Sequence, residues 1–328
     1  MTVLYRPLPD AGAPIDAPRI AGGWLRFSAV EMLERGRAPV TLPVSEVPAG
    51  QLATLSDRRP AIAGIAMDRP SIMGILNVTP DSFSDGGRYL DREQALTRAR
   101  ALAQADILDI GGESTRPGAQ EVPEDEEAAR VVPVIAALSG RCMSIDTRKA
   151  SVARAATGAG AALINDVSAM TFDPGMADTV ATSGAAVCLM HAQGAPETMQ
   201  DDPTYGDVLF DVYDALSTRI EVAVAAGIPR DSIMIDPGIG FGKTQAHNLS
   251  LLRRIGVFHG LGVPILLGVS RKRFIGDIGG AQQADARLPG TLAVTLAAVA
   301  QGIQMHRVHD VAEIAQGLAL WRAVQTAD

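Results

Sequence analysis

From residue 71 onward one unit recurs along the chain: a short apolar run, a polar tip, then a stretch punctuated like a helix. Runs at 72–77, 107–110, 143–146, 163–166, 187–190, 233–236, 265–268 and 305–308 fit this description, eight in all. Continuous apolar runs of strand length mean strands covered on both faces, as in parallel sheets with crossover helices. Helix signals fall between them. Asp91 is placed to N-cap the first helix, and Pro123 with Glu124, Asp125 and Glu126 suits a first turn. Gly158 and Gly227 sit where helix C-caps belong, and Asp310 with Glu313 reads as a capping box ahead of Ile314, Leu318 and Trp321. Eight βα units over about 255 residues predict a (β/α)8 barrel. The alternative is an open doubly wound sheet. The count of eight favours the barrel, as does the lack of a Gly-x-Gly-x-x-Gly turn after the first strand. Gln104-Ala105-Asp106 makes an unusually tight αβ connection with no glycine.

Residues 1–69 differ in character. They are rich in Pro, Ala and Arg, with apolar clusters at 24–27 and 40–44, and 28–35 reads as one short helix. The expectation is an α/β chain with a TIM barrel domain over 70–328 and an N-terminal extension over 1–69, of illegible role, that folds as a small appendage or packs on the barrel.

Bulk properties narrow the function. With 328 residues, 47% of them hydrophobic, the chain can build one large core or two domains. A net charge of -8 argues against general nucleic-acid or membrane-surface binding. Cys142 and Cys188 lie far apart in apolar runs, with no metal-type spacing, which suits a reducing cytoplasm. No basic-then-apolar leader is visible, and the apolar run at 292–300 is too short to span a bilayer.

Active sites of such barrels sit at the C-terminal ends of the strands. Those ends read Asn77, then Asp109 through Arg116, then Asp146, Asn165, His191, Asp236, Lys272, and Arg307 with His309. Singly each has an ordinary explanation: Asp146 or Asp236 could cap a helix, and Lys272 could be a solvated loop residue. Together at one rim they suggest division of labour. Asp146, Asn165, Asp236 and Lys272 complement a flat heterocycle with a donor edge and a carbonyl. Thr115, Arg116, Arg307 and His309 suit a phosphate or diphosphate. Asn77 offers a neutral oxygen usable as one Mg²⁺ ligand beside phosphate and water. Gly242-Lys243-Thr244 looks like the end of a P-loop, but the required glycine is Pro237. The five histidines form no zinc pattern; His191 and His309 lie at strand ends, whereas His247, His259 and His306 read as ordinary.

The motifs in order resemble those of the dihydropteroate synthases. The residues are 75–87 (ILNVTPDSFSDGG), 109–118 (DIGGESTRPG), 144–147 (SIDT), 165–167 (NDV), 236–243 (DPGIGFGK), 270–272 (SRK) and 307–310 (RVHD). The resemblance covers about 70–325. It implies condensation of 6-hydroxymethyl-7,8-dihydropterin diphosphate with 4-aminobenzoate, Mg²⁺ dependence, a homodimer and a sulfonamide target. By position, it implies pterin binding by Asp146, Asn165, Met190, Asp236, Phe241, Gly268 and Lys272. It gives the diphosphate to Asn77, Arg116, Arg307 and His309, with Asn77 at the metal, and the 4-aminobenzoate pocket to Phe83, Thr115, Pro117 and Ser270. Asp146, Lys272 and Arg307 would carry catalysis. Arg273 stands where many relatives have a small hydroxyl residue. A pterin-binding methyltransferase is the competing reading, but it needs no diphosphate site.

Overall fold

All eight apolar runs form parallel strands of one sheet. The computed structural model describes residues 2–78, 88–114, 121–194 and 198–326. Three strands precede the barrel: β1 (Val3–Pro9), β2 (Phe27–Glu34) and β3 (Val40–Pro43), followed by helix α1 (Ala49–Ser56). The barrel strands are β4 (Ser71–Asn77), β5 (Ile107–Gly111), β6 (Met143–Asp146), β7 (Leu163–Asp166), β8 (Ala186–Met190), β9 (Ile233–Asp236), β10 (Leu266–Leu267) and β11 (Met305–Val308). Between and after them run α2 (Arg88–Ala101), α3 (Glu124–Ala137), α4 (Ala150–Gly158), α5 (Met176–Ser183), α6 (Val208–Ala225), α7 (Gln245–Arg253), α8 (Arg273–Gly279), α9 (Leu288–Val299) and α10 (Val311–Thr326). The strand order is β10-β11-β4-β5-β6-β7-β8-β9. A parallel bridge between Ile235 and Ile265 joins β9 to the start of the last arc, so the sheet closes. This is the (β/α)8 barrel, not the open sheet.

Strand side chains alternate between the two faces. One face of every strand packs against the helices in the main core, with Ile72, Leu108, Ile145, Ile164, Val187 and Ile235 among its members. The other face points into the barrel. There Met73, Ile107, Leu163, Ala186, Cys188, Met234, Leu266 and Met305 form a separate apolar cluster. Ile62, Ile65 and Met67 join this cluster from the segment just before β4 and form its floor. Ile62 and Ile65 exchange both backbone hydrogen bonds, at 3.0 and 2.8 Å, across Ala63 and Gly64. Both turn residues have positive φ, 49° and 80°, the geometry of a tight two-residue hairpin.

Three local expectations are corrected. Residues 28–35 are not helical; 28–34 belong to β2, which pairs antiparallel with β1 and β3, and Arg35 follows in the turn. The buried apolar residues here are three apart, a spacing that a helix would also show. Phe27 and Val30 serve the small core of the N-terminal segment and Leu33 serves the main core. Pro7 and Pro9 in β1 resist helix and leave pairing as the way to satisfy the backbone of β2. Asp91 lies inside α2, which begins at Arg88, and is not its N-cap. Gly158 is the last residue of α4, and the positive φ of 118° falls two residues on, at Gly160. Gly227, with φ 92°, follows the end of α6 as expected. The tight connection at 104–106 also has a structural account. The Asp106 carboxylate accepts the Ile72 N–H at 2.8 Å and pairs with Arg69 at 2.6 Å, stitching two strand starts together.

The N-terminal sheet is fastened to the barrel flank. Glu31 accepts from Arg6 at 2.8 Å and from Arg254 at 3.1 Å. Trp24 Nε1 donates to Val299 O at 3.2 Å, and Arg59 donates to His259 O at 2.8 Å. No described helix is long and apolar enough to cross a membrane.

Candidate active site

The alternation that fills the barrel floor also builds its mouth. Counting by twos from the apolar cluster, Met73 leads to Asn77, Ile107 to Asp109, Leu163 to Asn165, Cys188 to Met190, Met234 to Asp236, Leu266 to Gly268 and Met305 to Arg307. Ser144 and Asp146 share the inward face of β6, because Met143 and Ile145 face the helices. One end of the interior is therefore apolar and the other polar.

At the centre Arg307 lies between two carboxylates. Its Nε donates to Asp109 Oδ2 at 2.6 Å and its Nη2 to Asp146 Oδ2 at 2.7 Å. Asn165 Nδ2 donates to the same Asp109 oxygen at 3.1 Å. The other oxygens, Asp109 Oδ1 and Asp146 Oδ1, are buried with no partner among the described residues. A buried acceptor without a donor is costly, so these oxygens are poised for a ligand's N–H groups. Burial pushes the Asp146 carboxyl up to about 7, with the Asp109 charge adding to the rise and Arg307 opposing it. Burial disfavours the Arg307 charge, but Asp109 and Asp146 outweigh it and raise its pKa.

The loop after β9 forms a second wall. Asp236 Oδ1 accepts the Gly238 N–H at 2.7 Å, and the His191 N–H donates to Asp236 O at 2.9 Å. Gly238 has φ 67°, and a Cβ there would sit 1.8 Å from His191 O, so glycine is required. The Lys272 ammonium donates to Ile239 O and stands 4.3 Å from the centroid of the Phe241 ring. Burial lowers the Lys272 pKa to about 8, against the pull of Asp236. Arg271 just before it has φ 58°, unusual for a side-chain-bearing residue, and its guanidinium is tied to Asp310. That anchor sets the turn that aims Lys272 inward. Gly268 leaves room between Asp236 and Arg307: a Cβ there would lie 3.6 Å from Asp236 Oδ2 and 4.0 Å from Arg307 Cβ.

Asn77 ends β4 beside Gly111; its Oδ1 lies 3.7 Å from where a Gly111 Cβ would be, and Asp146 Cβ is 3.6 Å from the same point. Ser270 Oγ accepts the His309 N–H at 3.1 Å and pairs with His309 Nδ1 at 2.9 Å, orienting that ring at the rim. Met190 is buried at the C-terminal end of β8, at the mouth. Phe83, Thr115, Arg116 and Pro117 lie outside the described residues. Arg273 points away, with an exposed side chain facing Asp277 of its own helix at 3.5 Å.

Two structural members of the site were not singled out from sequence. Asp109 was seen only as one of several strand-end residues, yet it organises both Arg307 and Asn165. Its place two residues beyond the floor residue Ile107 is the signal that finds it. Lys243, dismissed with the failed P-loop, is buried and donates to Phe241 O at 3.0 Å and His191 O at 3.3 Å, and meets His191 Nδ1 at 2.9 Å. It ties the β9 loop to the end of β8. Burial lowers the Lys243 pKa to about 7 and, helped by the Lys243 charge, that of His191 to about 3.

An enclosed ring of carboxylates, amide and cations at the mouth of a parallel barrel defines an enzyme for a planar, polar small molecule with an anionic part. The pterin-binding enzyme family matches residues 73–309, and the chain belongs to that family. It is 43% identical to Escherichia coli dihydropteroate synthase over 266 residues, covering 80% of this chain and 94% of that protein. Among solved structures, Xanthomonas albilineans dihydropteroate synthase with 4-aminobenzoic acid aligns with a TM-score of 0.77 at 46% identity, covering 82% of this chain and 99% of that one. A Yersinia pestis dihydropteroate synthase with a sulfonamide drug gives 0.75 at 44% identity, with 80% and 97% covered. Within the family the chain stands with the dihydropteroate synthases.

Proposed function

We propose that the chain is a transferase of folate biosynthesis. It joins 4-aminobenzoate to 6-hydroxymethyl-7,8-dihydropterin diphosphate, yielding 7,8-dihydropteroate and pyrophosphate. The observation that carries this reading is the polar ring itself. Buried oxygens on Asp109 and Asp146 that have no partner among the described residues, with Asp236 and Lys272 across the barrel, complement the donor and acceptor edges of a pterin. Asp146, Asn165 and Asp236 accept from ring N–H groups, Lys272 donates to the ring carbonyl, and Met190 and Phe241 pack on the ring faces in the space that Gly268 leaves open.

The diphosphate falls to Arg307, His309 and Asn77, and the resemblance adds Arg116. Among the described residues no three metal-ligating side chains cluster, and a divalent cation here would take most of its ligands from phosphate and water. The Asn77 amide oxygen fits that sparse role, and bound Mg²⁺ would neutralise charge building on the leaving pyrophosphate. The reaction is a dissociative substitution. The methylene C–O bond breaks toward pyrophosphate, Asp146 stabilises the cation left on the pterin, and the aniline nitrogen then forms the C–N bond and gives up its proton to the released pyrophosphate. Arg307 lowers the cost of the first step by balancing the leaving charge. No enzyme nucleophile is required. Ser270, which grips His309, belongs to the 4-aminobenzoate side, the side to which the resemblance also assigns Phe83, Thr115 and Pro117. A homodimer, a cytoplasmic location, sulfonamide sensitivity and a division at residue 69 into extension and barrel rest on the resemblance and the sequence pattern.

The test is pyrophosphate release from the dihydropterin diphosphate with Mg²⁺, with and without 4-aminobenzoate. Release with dihydropteroate formation is expected. Tight pterin binding by folded protein with no release would overturn the reading.

A further inference from the structure

Asn248 lies behind the ring of groups at the mouth, in the first turn of α7, and is only 4% exposed. The start of that helix is held by a reciprocal pair: the Thr244 hydroxyl accepts the His247 N–H at 3.2 Å, and His247 Nδ1 accepts the Thr244 N–H at 3.3 Å. A buried amide inside a helix costs both propensity and desolvation unless its polar atoms are used. Asn248 Oδ1 accepts the Gly240 N–H at 2.7 Å, whereas its Nδ2 reaches Lys243 O only at 3.5 Å. The strong bond is the one to Gly240.

The peptide unit that supplies the Gly240 N–H also carries Ile239 O, the acceptor of the Lys272 ammonium. A trans peptide is planar, with its N–H and C=O on opposite sides, so Asn248 and Lys272 hold the same plane from its two edges. Gly240 has φ 83°, and Lys272 Cδ lies 3.0 Å from where a Cβ would be, so the lysine stem runs against bare backbone. Backbone at a glycine turns over with little steric resistance, and a turned peptide would carry Ile239 O away from Lys272. Gln200 Nε2 donates to Gly240 O at 2.6 Å, but that oxygen belongs to the next peptide and Gln200 is exposed.

We infer that Asn248 is a positioning residue for Lys272: it latches the Ile239–Gly240 peptide so that the carbonyl points at the ammonium. Its bond to the N–H also strengthens the carbonyl as an acceptor, because hydrogen-bonded amides polarise one another. This rests on the reading of the mouth as a pterin site. An Asn248 that only supported the β9 loop would matter to pterin binding whatever residue stood at 272. A latch acts through Lys272 and matters only while that lysine is present.

The test is a double-mutant cycle on the full-length protein, read by calorimetry of 6-hydroxymethyl-7,8-dihydropterin binding. It compares the wild type with Asn248→Leu, Lys272→Met and the double variant. Asn248→Leu keeps the volume, removes the acceptor and should weaken binding about tenfold, the scale of one hydrogen bond to a charged group. In the Lys272→Met background the same change should cost less than about twofold. Asn248→Asp keeps an oxygen for the Gly240 N–H and should stay within about threefold of wild type. Unchanged affinity in Asn248→Leu would overturn the inference. So would an equal loss in both backgrounds, or an Asn248→Asp variant as weak as Asn248→Leu. Should Asn248→Leu fail to fold, Asn248→Ala takes its place in the cycle, with the same expected and overturning results. Absence of pterin binding by the unmodified protein would instead sink the pterin reading of the site, so the two failures are distinguishable.

Discussion

Asp146 and Lys272 show how much of the chemistry is set by burial of single groups. Both sit where water is scarce, and each is shifted toward its neutral form. Asp146→Asn keeps the shape and loses the charge that would balance a pterin cation. It should lower kcat by at least about a hundredfold with circular dichroism unchanged. Lys272→Ala should do the same and also weaken pterin binding in calorimetry. Lys272 can donate to a carbonyl only while protonated, and its pKa of about 8 is below the ordinary 10.5. Its working form is therefore complete below about pH 8 and is lost as pH rises through that value. A pH profile of kcat/KM for the pterin diphosphate should show an alkaline limb there, and Lys272→Arg should move the limb upward because guanidinium stays charged. These residues were legible in the sequence because each ends a strand. The Asp109–Arg307–Asp146 arrangement was not, because the partners are 161 and 198 residues apart in the chain.

At the scale of elements, the β9 loop is the part most tightly determined by its own residues. Gly238 needs a left-handed φ and leaves no space for a side chain beneath His191 O. Gly238→Ala should destabilise the fold by about 1–3 kcal/mol in denaturant unfolding and weaken pterin binding, since the loop carries Phe241 and the carbonyl that anchors Lys272. Wild-type pterin affinity in that variant would show that the loop is not part of the pocket. The strands after residue 70 could be read from sequence to within a residue or two because each is a bounded apolar run. Strand β2 could not. Its apolar spacing mimics a helix, and only pairing between β1 and β3 and the presence of two separate cores decide otherwise.

For the molecule as a whole, the barrel separates stability from chemistry along its axis. The floor is an apolar plug contributed by the segment before the first barrel strand, and the mouth holds the charges. Met67, 2% exposed in the floor, can be cut to Ala at a cost of about 2–5 kcal/mol in denaturant unfolding, with kcat within about twofold of wild type. A large fall in kcat would show that the floor and the mouth are coupled. The amino-acid order by itself determined the repeating βα unit, the number of barrel strands and the residues at their ends. Apolar runs, turn residues and strand-end polarity are local patterns and survive without knowledge of neighbours. Closure of the sheet, the plug beneath it, the strand identity of 27–34 and the pairing of Arg307 with two distant carboxylates were decided only in three dimensions. Each depends on which segments bury one another, and burial is a property of the assembled core.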